Sequence, residues 1–241
     1  MQADFTSATI VLLGKFKPDV FLPEVLSSAR VISKSEAKVA KFRALLPDAA
    51  VHLELSWGEL LVTKDRVQVS TTEAPYVRIC DFVIKALHDM ETESAVSAFG
   101  INLESHFNLG SINARDNLGR RIAPPEAWGN WGSEILKSMQ SKSPLRGGMM
   151  HLQMRMPFVE DKVAGWMDVF AGPSERIPNN TGVFFRTNHH HQSPKQEASG
   201  AEKTQSAPTR TNPLTLLDSL AERFDASIDR AVNIFNGVLQ T

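Results

Sequence analysis

The chain has a single cysteine, Cys80, so no disulfide can close within it and no cysteine cluster can hold zinc. Neither charge is in excess: 26 Lys and Arg stand against 27 Asp and Glu, a formal net charge of -1. That balance excludes nucleic-acid binding by bulk positive charge and leaves only a local basic patch open. Long apolar runs are also missing. Stretches such as residues 10–13 fall far short of the roughly 20 residues that cross a bilayer, so no membrane association is expected. No basic segment precedes an apolar core near Met1, so no export signal is expected. With one thiol, the expected compartment is the cytoplasm.

What is present is ordinary globular material. Hydrophobic residues make up 42% and charged residues 22% of 241, enough for a buried core in one large domain or two small ones. Residues 8–16 (ATIVLLGKF) are β-branched and apolar and read as a strand. Residues 18–30 and 35–46 carry helical spacing, the second through Val39, Phe42, Leu45 and Leu46 until Pro47 ends it. Residues 51–70 alternate with period two and fit two or three antiparallel strands. Residues 76–90 return to helical spacing, with Cys80 on the inner stripe as a small hydrophobe.

Residues 94–107 (SAVSAFGINLESHF) form the clearest long strand. Gly100 in its middle marks a bulge or a close backbone approach. Residues 109–145 are the least regular part, with a helical turn or two expected over 134–139. Residues 148–158, 163–171 and 182–190 alternate again, and with 94–107 they read as an antiparallel meander of about four strands. Residues 191–212 turn to Ser, Thr, Lys, Glu, Gln, Ala and Pro, the composition of a disordered linker. Residues 213–239 close the chain with an apolar stripe on a helix roughly 40 Å long. The fold class is therefore α+β: antiparallel sheet with helices largely on one face, and a tethered C-terminal amphipathic helix. The expected division is a core domain over 1–190, a linker over 191–212 and the helix over 213–241.

Motifs exclude more than they assign. Residues 129–132 (GNWG) and Gly147-Gly148 do not make a phosphate-binding loop, and no GxSxG elbow is present. In a strand, His189 and His191 share a face and His190 points away, so that run supplies no more than two ligands to one ion. No metal or other cofactor is expected. Glu160-Asp161-Lys162 has the acid-x-Lys spacing of metal-dependent nucleases, but it sits where a hairpin turn is expected and lacks a second acidic strand residue.

Three surfaces remain. Strand alternation gathers Asn102, Glu104 and His106 with His151, Gln153 and Arg155, and with Trp166, Asp168, Arg186, Asn188 and His190, on one polar sheet face. Such a face is either plain solvent surface or an interface, for which Trp166, Arg155 and Arg186 are suitable residues. Arg115, Arg120 and Arg121 with Trp128 and Trp131 mix cations and aromatics. That set can hold phosphates and stack bases, or the tryptophans can anchor a long loop on the core. The C-terminal stripe of Leu217, Leu220, Phe224, Ile228, Val232 and Phe235 offers association surface on a tether whose reach is roughly 25 Å. The leading expectation is a non-enzymatic interaction protein, a homo-oligomer or a subunit of a larger assembly, using this helix and the polar face. The alternative is a nucleic-acid-associated protein, with or without metal-dependent nuclease activity, using the Arg/Trp segment. A third option is an enzyme acting on a small ligand at Glu104, His106, Arg155 and Asp168.

Overall fold

The structure, a computed structural model, describes residues 1–89, 95–140, 146–160, 163–192 and 213–240. Its strands are β1 (Phe5–Lys15), β2 (Lys41–Leu46), β3 (Ala50–Leu55), β4 (Gly58–Thr63), β5 (Arg66–Thr71), β6 (Ala95–Asn108), β7 (Leu152–Glu160), β8 (Val163–Pro173) and β9 (Gly182–Gln192). They form one nine-stranded antiparallel sheet in the order β2-β3-β4-β5-β1-β6-β9-β8-β7. The helices are α1 (Pro23–Ser28), α2 (Lys34–Val39), α3 (Val77–Asp89), α4 (Ile112–Ile122), α5 (Gly129–Met139) and α6 (Pro213–Gln240). The α+β class is as the periodicity indicates. No helix among the described residues is long and apolar enough to cross a membrane.

Period-two alternation places the core. On one face β1 contributes Ala8, Ile10 and Leu12; β3 to β5 contribute Val51, Leu53, Leu60, Val62, Val67 and Val69; and β6 contributes Phe99, Ile101 and Leu103, all buried. The helix α3 covers β1 and β5, with Ile79, Cys80 and Val83 turned inward. Burial, with smaller contributions from Asp81 and Asp225, pushes the Cys80 thiol up to about 12, as expected of a core cysteine. The helix α6 lies across β6 and β9 and against α3, with Phe235 stacked on Phe185 at 5.4 Å.

The segment carrying Leu217, Leu220, Phe224 and Phe235 is thus buried in the chain's own core, with Ile228 half-buried. Val232 is exposed, because the inward stripe runs through Ser227 and Ala231 instead. Each step of four residues advances a helix by about 40°, so two such steps from Phe224 turn Val232 about 80° away from the sheet.

Several local expectations change. Residues 41–46 form the edge strand β2 and not the end of a helix. A turn with Asp48 at φ 57° folds it back on β3, where pairing outweighs helical spacing. Residues 109–145 contain α4 and α5. Ser111 caps α4 by accepting from Ala114 N at 3.1 Å, and the prolines and Gly129, at φ 59°, mark the break between helices. The four long strands are not a simple meander: β7-β8-β9 is one, but β9 and not β7 pairs with β6. Gly100 makes no bulge. Its missing side chain leaves room for Asn188, whose Oδ1 lies 3.0 Å from where a Cβ would stand. The strand β9 continues through His191 and Gln192, and the rest of the expected linker, 193–212, lies outside the described residues.

Candidate binding surfaces

The face opposite the core carries the polar residues read from alternation. Register sets Asn102 beside Asn188 and Glu104 beside Arg186, then Asp168 beside Asn188 on the next strand and Arg155 beside Asp168 at the edge. Arg155 grips Asp168 with two bonds of 2.7 Å, and this holds the Asp168 carboxyl below the usual carboxylate range. The Arg155 guanidinium also lies 4.6 Å over Trp166, whose ring stacks on His190 at 4.1 Å. Burial pushes the His190 imidazole below its ordinary value. This end of the face is therefore a packed layer of paired groups. His151 precedes β7 and sets its ring edge-on to Phe170 at 5.6 Å.

Glu104 and His106 lie toward the other end, where β6, β8 and β9 terminate beneath α4. Asp4 and Thr181 tie this end together: Asn108 N donates to Asp4 Oδ2 at 2.8 Å, and Thr181 Oγ1 donates to Asn108 Oδ1 at 2.8 Å. Here a cavity of about 650 Å³ opens between the polar face, α4 and residues 146–150. Ser174, His106 and Glu104 form a hydrogen-bonded chain along one wall, with Oγ 2.7 Å from Nδ1 and Nε2 3.1 Å from Oε1.

That chain has the composition of a nucleophile relay, and its geometry assigns a different role. Ser174 Oγ accepts from Arg176 N and Ile177 N, each at 3.2 Å, which uses both its lone pairs and directs its proton to His106 Nδ1. His106 is then the tautomer protonated at Nε2, which donates to Glu104. The serine is 3% exposed, and its oxygen is held by the N–H groups of its own turn. The chain holds the turn at 174–177 and aims a carboxylate.

Four arginines line the cavity: Arg115, Arg146, Arg176 and Arg186. Arg115 and Arg146 both bind the buried carboxylate of Asp116, at 2.6 and 2.8 Å, which fastens residues 146–150 to α4. Arg176 and Arg186 instead lie over aromatic rings, at 4.0 Å from Phe5 and 4.3 Å from Phe170. Among the described residues neither has a carboxylate partner.

The Arg/Trp segment does not act as one site. Arg115 turns into the cavity, and Arg120 pairs with Glu126 at 3.2 Å on the outer surface, where Arg121 is also exposed. Trp128 and Trp131 meet edge-on at 5.5 Å and are 64% and 57% exposed, so they do not anchor the segment on the core.

On the core side of the sheet, a groove of about 460 Å³ runs between the edge strand β7 and α6. Met154, Met156, Met167, Val169, Ile234 and Val238 line it, and Arg155 and Arg230 rim it. No sequence signal marked this groove. The methionines were legible only as one side of an alternating strand, and their exposure follows from β7 lying beyond the cover of α6.

The histidine run divides as alternation requires. His189 bonds Ser227 of α6 at 2.8 Å, and His191 stacks on Phe99 at 4.5 Å, both inside the core, while His190 faces the other way. Among the described residues no three His, Cys, Asp or Glu side chains converge as a metal site, and Asp161 and Lys162 of the acid-x-Lys spacing lie outside them. Compared with known proteins, the chain matches no protein family and no curated protein.

Proposed function

We propose that the chain is a non-enzymatic interaction protein that self-associates through the groove between β7 and α6. The observation that carries this reading is the exposure of Met154 and Met156, 67% and 46%, on the apolar side of an edge strand. Methionine side chains are long, flexible and polarisable, and they recur where a surface accepts a partner. Pro157, which has no N–H to offer, sits within β7 and disfavours extension of the sheet by strand addition, so association would use the side-chain face. The exposed side of α6 flanks this surface, the polar face lies on the other side of the sheet, and both are secondary to it.

Size-exclusion chromatography with light scattering on the full chain tests the proposal. The wild type is expected to run as a dimer or larger closed assembly. Met154→Asp with Met156→Asp is expected to yield a folded monomer, with its circular dichroism unchanged. A wild type that remains monomeric at its highest soluble concentration overturns the reading.

A second reading rests on the exposed pair Trp128 and Trp131, which suits stacking with single-stranded nucleic acid. Titration with a single-stranded oligonucleotide should quench Trp128 and Trp131 fluorescence, with affinity falling as salt rises. Absence of quenching at low salt removes this alternative.

A further inference from the structure

We propose that the sheet-end cavity binds a small organic anion, a carboxylate or phosphate, that also carries a hydroxyl or ammonium donor. The argument starts from a pair that fails to close. Glu104 and Arg186 are direct cross-strand neighbours on the same face, a placement in which opposite charges ordinarily pair. Among the described residues no ion pair forms between them. Glu104 is drawn along its own strand to His106 Nε2 at 3.1 Å, while Arg186 is drawn across the next strand to lie 4.3 Å over Phe170. Each is held by a different neighbour, and the cavity lies between these elements and α4.

Arg176 repeats the arrangement of Arg186 on the adjoining turn, stacked 4.0 Å from Phe5. A guanidinium stacked on a ring keeps its in-plane N–H groups available, and its position is set before a ligand arrives. The other two arginines of the cavity are already engaged by Asp116, so they shape the wall and leave Arg176 and Arg186 as the anion-binding pair. Glu104 supplies the complementary acceptor: one oxygen takes the His106 proton, and the carboxylate retains capacity for a donor on the ligand. A volume of about 650 Å³ suits a metabolite-sized molecule. The site opens on the polar face, on the other side of the sheet from the self-association groove, and does not depend on it.

Isothermal titration calorimetry on the full chain, in a constant chloride background, tests the assignment with three probes. Inorganic phosphate tests the anion contact alone, while glycerol 3-phosphate and glycerate add hydroxyl donors to a phosphate and a carboxylate respectively. Saturable one-site binding of glycerol 3-phosphate or glycerate is expected, and the tighter of the two names the anion type. Arg176→Gln and Arg186→Gln, both at exposed side chains, should each weaken it about tenfold or more, the scale of a lost charge-assisted hydrogen bond. The melting temperature of the unliganded protein should stay unchanged. Glu104→Gln keeps an acceptor for His106 but loses the charge, and should reduce the advantage of glycerol 3-phosphate over inorganic phosphate. Failure of every probe to saturate, or binding indifferent to both arginine substitutions, overturns the proposal.

Discussion

His191 is fully buried, its ring stacked on Phe99 at 4.5 Å and edge-on to Phe158 at 5.1 Å. Neither ring nitrogen has a hydrogen-bond partner among the described residues. Burial, then the neighbouring His189, Arg223 and His190, push its imidazole down to about 3 from the ordinary 6.5. The native state therefore keeps this ring neutral where the unfolded chain binds a proton. The stability it confers is present above pH 6.5 and is lost as pH falls toward about 3, at up to about 1.4 kcal/mol per pH unit. His191→Phe keeps the ring and removes both the proton and the unsatisfied nitrogens. Urea denaturation at pH 7 should show equal or greater stability, by up to about 2 kcal/mol, and between pH 6.5 and 4 the slope should shrink by close to one proton. An unchanged slope would refute this. Alternation in the sequence was enough to put His189 and His191 on one face. Their burial was not legible, because the covering groups, Phe99 and Ser227, arrive from a strand and a helix far away in the chain.

At the scale of elements, α6 is an integral layer of the fold. Leu220, Phe224, Ala231 and Phe235 are sealed against β6, β9 and α3, so the helix covers the apolar face that Phe99, Ile101 and Leu103 present. Phe224→Ala should destabilise by about 3–5 kcal/mol in urea denaturation followed by circular dichroism, since it removes a large buried ring. Val232→Asp, on the exposed side of the same helix, should change stability by no more than about 0.5 kcal/mol. Equal and small effects would mean that the helix is not docked on this sheet in solution. The existence and type of α3, β6, β8 and α6 were legible because each has a long run of one period. The six residues of β2 are too few to separate period two from period 3.6, and of α4 and α5 only the turns over 134–139 stand out, because the prolines and glycines scattered through 109–145 interrupt the pattern. Pro124 and Pro125 lie between the two helices, whereas Gly119 and Gly132 lie inside them.

For the whole molecule, strand order was the least legible property. Alternation tells which face a side chain takes, but not which strand lies next to it. The polar face could therefore be read from the sequence and the sheet-end cavity could not, since its wall draws on β6, α4, residues 146–150, the turn at 174–177 and β9. The observed order has a mechanical consequence. β1 pairs with β5 on one side and β6 on the other, so the first strand joins the N-terminal strands β2–β5 to the C-terminal set β6–β9. α3 packs on β1 and β5 and meets α6, and one buried cluster extends from Val51 and Leu53 to Phe185 and Phe235. Neither half of the sheet has a separate core to retain when the other opens, so unfolding should be a single cooperative transition. Two tryptophans report the halves: Trp57 packs edge-on to Phe82 at 5.4 Å, and Trp166 stacks on His190 at 4.1 Å. With exposed Trp128 and Trp131 changed to Phe and one reporter retained at a time, urea unfolding should give the same midpoint from Trp57, Trp166 and helical circular dichroism. Separate midpoints would mean that the sheet parts beside β1 and that the two strand sets fold as independent units.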